Sequence, residues 1–189
     1  MQTIKVTELM VPLAGYASVS QDSTLFEAVL ALEEAQNKFD QKSYKHRAIL
    51  VYDENRKIVG KLSMLDVIRA LEPKYAGMGD MKTLGRWGVS KEFIKSMIKH
   101  YELWEKPLDD ICKKAGELKV KDVMYTPTEG EFVSKEANLN EGIHQLVVGH
   151  HQSLLVTDKD QIIGVLRLTD VFRYVCERMK ACNIPGAGQ

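Results

Sequence analysis

Two short segments carry the residue types best suited to recognising a polar ligand. Ser63-x-x-Asp66 and Arg167-x-x-Asp170 each set a carboxylate three residues after a group that can meet an anion, where an apolar strand gives way to helical spacing. A carboxylate only accepts hydrogen bonds, which suits two vicinal hydroxyls, and a serine hydroxyl can donate to a phosphate oxygen. A helix start adds unpaired backbone N–H groups and the positive end of the helix dipole, both favourable to an anion. Ser63-x-x-Asp66 is equally a capping pattern in which both side chains satisfy backbone donors, and capping and ligand contact can coexist. In the second segment the Arg167 guanidinium can grip a phosphate through two parallel bonds, or fill the space and pair with Asp170 itself.

Histidines mark the approach to both segments. His46 leads into the strand before the first, and His150 and His151 stand at the matching place before the second. A histidine beside a phosphate can change charge at about pH 6–7, although adjacent histidines are also at home in a solvated loop. Metal ligation is not expected, since neighbours on a strand point to opposite faces and no third ligand is apparent. His144 reads as a surface residue. Cys112, Cys176 and Cys182 are odd in number and lack paired spacing, which favours idle or structural thiols over a disulfide or a metal site. Nothing resembles a nucleophile elbow, a Walker loop or a dinucleotide fingerprint, so catalysis is not expected.

The elements that must position these residues occur twice. Gly60-Lys61-Leu62-Ser63-Met64-Leu65-Asp66 is answered by Gly164-Val165-Leu166-Arg167-Leu168-Thr169-Asp170, and the apolar strand Ile49-Leu50-Val51 by Leu154-Leu155-Val156. Further back, Val6-x-x-x-Met10 and Val19 match Val120-x-x-x-Met124 and Val133 at one spacing of 114, which shrinks to 104 at Gly60 and Gly164. Length changes confined to loops are what a duplicated fold tolerates. Each unit reads as strand, helix, strand, strand, helix. The first helix is expected to open at Asp22 or Ser23 and to bury Leu25, Val29 and Leu32, with Leu139, Ile143, Leu146 and Val147 as its counterpart. Strands are expected at 46–52, 58–62, 152–157 and 162–166. The closing helices are expected to turn Val67, Ile68 and Leu71, or Val171, Phe172 and Val175, inward.

The chain of 189 residues is 44% hydrophobic with zero formal net charge, enough for one two-lobed core or two small domains. Neutrality argues against nucleic-acid or membrane-surface binding driven by bulk charge. No apolar run approaches the ~20 residues of a membrane helix, and no basic-then-apolar leader opens the chain, so a cytoplasmic protein is expected. Residues 1–72 form the first unit, 120–189 the second with a short tail, and 73–119 an insert. Gly77, Gly79, Gly85 and Gly88 predict an irregular loop. A helix capped by Ser90 should then align Phe93, Ile94, Met97, Ile98, Tyr101 and Trp104 until Pro107, followed by a short helix from Leu108 to Ala115 that stops at Gly116. Its apolar stripe either packs on its own module or docks a partner. A nucleic-acid role from Arg86, Lys91, Lys95 and Lys99 is disfavoured by interspersed acids.

A pair of units opening with Val-x-x-x-Met and closing with Gly-x-x-[Ser/Thr]-x-x-Asp resembles the tandem CBS (cystathionine β-synthase) domain, or Bateman module; residues 73–119 lie outside the resemblance. It implies an α/β (α+β) fold in which two β-α-β-β-α repeats pack with pseudo-twofold symmetry around two clefts. It also implies a homodimer and a regulatory ligand containing adenosine: AMP, ADP, ATP or S-adenosylmethionine. In the family pattern the aspartate meets the ribose hydroxyls, and the serine or threonine meets phosphate. Ligand contacts are then expected among Tyr16, Ala17, Ser18, His46, Arg47, Ala48, Ser63, Asp66, Phe132, His151, Gln152, Arg167, Thr169 and Asp170. Arg167 departs from the pattern, so the clefts should not bind alike. The expected function is a stand-alone nucleotide sensor whose insert passes the signal on. The alternative is a ligand-free interaction module acting through that insert.

Overall fold

A computed structural model describes residues 4–38, 45–78, 89–104 and 110–181. Gly79, Gly85, Arg86, Gly88, Pro107, Leu108 and Cys182 lie outside them. The strands are β1 (Val11–Pro12), β2 (Ser18–Ser20), β3 (Ala48–Tyr52), β4 (Ile58–Ser63), β5 (Phe132–Ser134), β6 (Ser153–Asp158) and β7 (Gln161–Arg167). The helices are α1 (Leu25–Lys38), α2 (Met64–Leu71), α3 (Lys91–His100), α4 (Ile111–Glu117), α5 (Val120–Val123), α6 (Leu139–Val148) and α7 (Leu168–Ala181).

Duplication is plain in the sheets. In β2-β3-β4 the first pair is parallel and the second antiparallel, and β5-β6-β7 repeats this with a register shift at the matching place, Val51/Tyr52 and Val156/Thr157. The segment that opens each repeat crosses to the other one. β1 pairs with β7, Val11 opposite Val165 and Pro12 opposite Gly164. Reciprocally, Tyr125 exchanges backbone hydrogen bonds of 2.9 and 2.8 Å with Lys61. Val6 is thereby sealed in the core of the second repeat with Leu139, Leu154 and Leu166, and Val120 in that of the first with Leu25, Ile49 and Leu62. Each such valine contributes about 1.5–3 kcal/mol of burial to a core that is not its own. Between the sheets, Tyr16, Leu50, Leu155 and Val165 form a third cluster.

The two repeated glycines make this exchange possible. A β-carbon on Gly164 would stand 2.7 Å from the Val11 carbonyl oxygen and 2.8 Å from Met10 Sδ; one on Gly60 would stand 2.5 Å from Met124 Sδ and 3.2 Å from the Tyr125 carbonyl oxygen. The methionine of Val-x-x-x-Met and the glycine of Gly-x-x-[Ser/Thr]-x-x-Asp are therefore partners, each from the opposite repeat.

Several expected details shift. α1 opens at Leu25 because Thr24 caps it: Thr24 Oγ1 accepts from the Glu27 N–H at 3.2 Å, and Glu27 accepts from the Thr24 N–H at 2.7 Å. Neither Asp22 nor Ser23 is the cap. β3 starts at Ala48, leaving His46 outside the strand. Leu25, Leu32, Leu71, Leu139, Leu146 and Val171 are buried as expected, but Val29, Ile68, Val147, Phe172 and Val175 face outward. Helical spacing identifies an apolar arc wider than one repeat can cover, and the flank of that arc stays exposed.

Residues 73–77 form a 3₁₀ turn. Ser90 caps α3 through the Phe93 N–H at 3.1 Å, and the helix ends at His100. Most of its stripe is left uncovered: Phe93, Ile94, Ile98, Tyr101 and Trp104 are exposed, and Met97 is half-buried. Among the described residues its end is tied down, with the Trp104 N–H donating to Glu72 at 2.8 Å and the indole N–H to the Tyr75 hydroxyl at 3.1 Å. α4 runs past Gly116 to Glu117, and buried Ala115 anchors it in the first core. None of the helices described is long and apolar enough to cross a membrane.

Alanine at Gly164 is expected to cost about 1–3 kcal/mol by overpacking, and more than alanine at Gly60. At 164 the obstruction is backbone, whereas at 60 the nearest atom ends a flexible thioether. Urea unfolding of the two variants measures the order; Met124→Ala should recover part of the Gly60→Ala loss and none of the other.

Candidate functional site

Ser63 ends β4 and caps α2. Its Oγ accepts from the Asp66 N–H at 3.2 Å, while Asp66 Oδ2 accepts from the Ser63 N–H at 2.9 Å and its hydroxyl at 2.6 Å. The capping role is thus real, and it uses one carboxylate oxygen. The other, Oδ1, lies 3.9 Å from Nη1 of Arg69, a side chain with 43% exposure. Arg47 is exposed and its carbonyl accepts the Met64 N–H at 3.1 Å; Ala48, half-buried, sits opposite Ser63. Ala17 accepts the Leu50 N–H, and Ser18 continues exposed along the same edge.

Beside Ser63 lies a polar tie contributed by both repeats. Glu131, 2% exposed, takes hydrogen bonds from Lys61 Nζ, from the Tyr125 hydroxyl at 2.5 Å and from the Thr128 N–H. Burial alone would raise the Glu131 carboxyl, but the bonds from Lys61 and Tyr125 hold it below the ordinary range; that same bond, with burial, pushes the Tyr125 phenol up. The Asp66 charge acts on Tyr125 as well. Lys61, Arg69, Tyr125 and Glu131 escaped the sequence reading. Arg69 was detectable, since Arg173 repeats it at the spacing that links Gly60 to Gly164. Glu131, in a polar turn, carries no such signal.

The second copy is filled. Arg167 donates to Asp170 through Nε and, at 2.8 Å, through Nη2, and Arg173 approaches Asp170 Oδ1 at 3.5 Å. Arg167 has no acceptor, so it cannot cap α7 as Ser63 caps α2. Its Nη1 lies 3.5 Å from His46 Nδ1, and the His46 ring meets Tyr16 edge-on with centroids 4.3 Å apart. Tyr16 and His46, expected beside Ser63 and Asp66, thus stand against Arg167 of the other repeat, because the crossing lead-in carries Tyr16 over. Burial holds His46 below its ordinary value, with Arg167 adding to the effect, and pushes the Tyr16 phenol up to about 12.

His151 and Gly130 repeat the His46 and Tyr16 relation with no ring in place of the tyrosine. Together with Glu141, His144, Gln145, Val148 and Gly149 they line an open hollow of about 420 Å³. His150, exposed at φ 52°, turns the chain beside it. Phe132 packs into the cluster between the sheets. Gln152 is exposed and its carbonyl accepts the Leu168 N–H; Thr169 is half-buried beside Asp170. A separate cavity of about 480 Å³ lies between the hairpin turns, near Arg56 and Asp160, at the far end of the strands from Ser63.

Two intertwined β-α-β-β-α units, each with a carboxylate at a helix start, define a duplicated α/β fold with one candidate site in each copy. The CBS domain model matches residues 6–73 and 120–177, and the chain belongs to that family. CBSX2 in complex with AMP is similar over 93% of this chain and 98% of its own, at 19% identity and a TM-score of 0.57. The CBS-pair protein CBSX2 from Arabidopsis thaliana matches over 95% and 99%, at 19% identity and a TM-score of 0.55. A hypothetical conserved protein from Geobacillus kaustophilus matches over 94% and 99%, at 17% identity and a TM-score of 0.58. No protein of curated function matches the sequence.

The His46 shift has a sign that can be measured. A lowered histidine pKa means the folded state holds fewer protons than the unfolded one, so the stability is present above the ordinary 6.5 and is lost as pH falls below it. The Glu131 contribution has the same sign but is lost only below the ordinary 4.5. The melting temperature should therefore drop between pH 7 and 5, and His46→Gln should flatten that part of the profile while leaving the steeper acid limb.

Proposed function

We propose that this chain is a regulatory module that binds an adenine nucleotide and signals by a change of shape, with the cleft at Ser63 and Asp66 as its principal site. The observation that carries the reading is the inequality of the two copies. Where the second has a tyrosine ring and a guanidinium, the first has Gly130 and Ser63. Both replacements act in the same direction, leaving less side chain in the first copy than in the second. Asp66 Oδ1 meets Arg69 at 3.9 Å, a contact that a ribose diol can replace, while Oδ2 holds the cap. Arg69, partly exposed, with the start of α2, offers a cation and backbone N–H groups to a phosphate. That positive charge favours a nucleotide over the sulfonium of S-adenosylmethionine. A similar structure, CBSX2, is described in complex with AMP.

A ligand of this kind shifts a conformational population only by its differential affinity. The exposed flanks of α1 and α2 (Phe26, Leu30, Leu65, Ile68) and of α6 and α7 (Val147, Val148, Phe172, Met179) are related by the duplication. In this reading they are covered by a second copy of the chain, whose geometry changes with occupancy, and the stripe of α3 carries the output to a protein partner.

AMP at a hundred times its dissociation constant should add about 2.7 kcal/mol of stability. Asp66→Ala should weaken AMP at least about tenfold, read by equilibrium dialysis. A panel of adenine nucleotides that shifts neither protein would sink the proposal. Leu65→Glu with Val148→Glu should leave the fold intact and turn a dimer into a monomer in sedimentation.

A further inference from the structure

The second cleft is closed by its own recognition residues. Arg167 and Asp170 are 6% and 3% exposed, and both oxygens of Asp170 are engaged by the guanidinium. The outer side of Asp170 faces Arg173, whose side chain is 40% exposed and reaches the rim. His46 packs behind Arg167 and Tyr16 covers His46. A pair so far removed from water adds little net stability over apolar side chains, yet taking away one partner strands the other at high cost. Any ligand entering here must therefore replace both partners at once.

Only a limited chemistry does so. Two vicinal hydroxyls can replace the guanidinium as donors to Asp170, and an anion can replace the carboxylate as acceptor for Arg167. Resting on the nucleotide reading above, we propose that the Arg167–Asp170 pair restricts the second cleft to ligands that join a vicinal diol to a phosphate. A nucleoside frees Asp170 from nothing, because it brings no anion for Arg167. S-adenosylmethionine puts a positive sulfonium where a nucleotide has its phosphate, and its carboxylate lies further out and beside an ammonium, so it is a poor substitute anion for Arg167. Ser63 imposes no such exchange, since its hydroxyl is neutral and Asp66 keeps an oxygen outside the cap. The first cleft is then the tolerant site and the second the phosphate-dependent one. Arg173, beside Asp170 and partly exposed, stands where a second cation can meet the phosphate.

The full chain carrying Asp66→Ala isolates the second cleft. Equilibrium dialysis of that protein should find AMP bound and adenosine and S-adenosylmethionine at least about a hundredfold weaker. Adding Arg167→Ser, which copies the first cleft, should bring AMP and adenosine to within about fivefold of each other. Should that variant not fold, Arg167→Lys keeps the charge but not the two-point grip, and it should narrow the gap between AMP and adenosine in the same direction. Adenosine binding as tightly as AMP to the Asp66→Ala protein, or a gap unchanged by both Arg167 variants, would overturn the proposal. So would AMP binding to the wild type but not to the Asp66→Ala protein, which makes the second cleft a blocked one and leaves the nucleotide reading standing. If AMP binds neither protein, both readings fall together.

Discussion

The structure depends on a close approach of two backbones at a glycine, made twice. Val11 lies against Gly164 and Tyr125 against Lys61 beside Gly60, with Met10 and Met124 filling the space a side chain would need. Each lead-in then delivers a valine to the opposite core. Neither repeat completes its own interior, so the two fold as one body and their relative orientation is fixed by backbone contact rather than by a flexible interface. That rigidity is what lets residues from both repeats meet at a site with ångström definition.

The same crossing explains why two halves of common descent end with different chemistry. Each helix-start carboxylate faces side chains brought over from the other repeat. On one side these are Tyr125 and Glu131, tied to Lys61; on the other they are Tyr16 and His46, set against Arg167. The counterparts of Lys61 and Tyr125 are Val165 and Val11, both apolar, so no polar tie can form on the second side. Divergence at a few positions was enough to fill one copy with a buried ion pair and to leave a serine cap in the other, while the backbone scaffold stayed alike.

Exposure follows the same economy. α1 and α6 each bury one side and leave the other to solvent, as do α2 and α7, so apolar side chains collect on two related faces of the body. α3 adds a third, tethered at its end through Trp104 to Glu72 and Tyr75, next to the end of α2. A displacement at the Asp66 end of α2 has a short covalent and hydrogen-bonded route to that tether, through eight residues of rigid helix.

Much of this was legible in the residues. Duplication, the strand and helix order, the cap at Ser63 and the unequal partners of Asp66 and Asp170 all rest on local spacing, where hydrophobic period and hydrogen-bonding type act over a few residues. The Arg167 alternative of pairing with Asp170 was also visible, since the two stand one helical turn apart. Missed were features made by contact across the repeats: Glu131 in a turn with no periodic signal, the move of Tyr16 and His46 to the Arg167 side, and the outward flank of Ile68, Phe172 and Val175. Sequence by itself determined the elements and the inventory of donors and acceptors, because those follow from the chain's own period and chemistry. Only the tertiary structure decided which carboxylate faces which partner, because a lead-in that crosses at a glycine carries its side chains to a site that linear order gives to the other repeat.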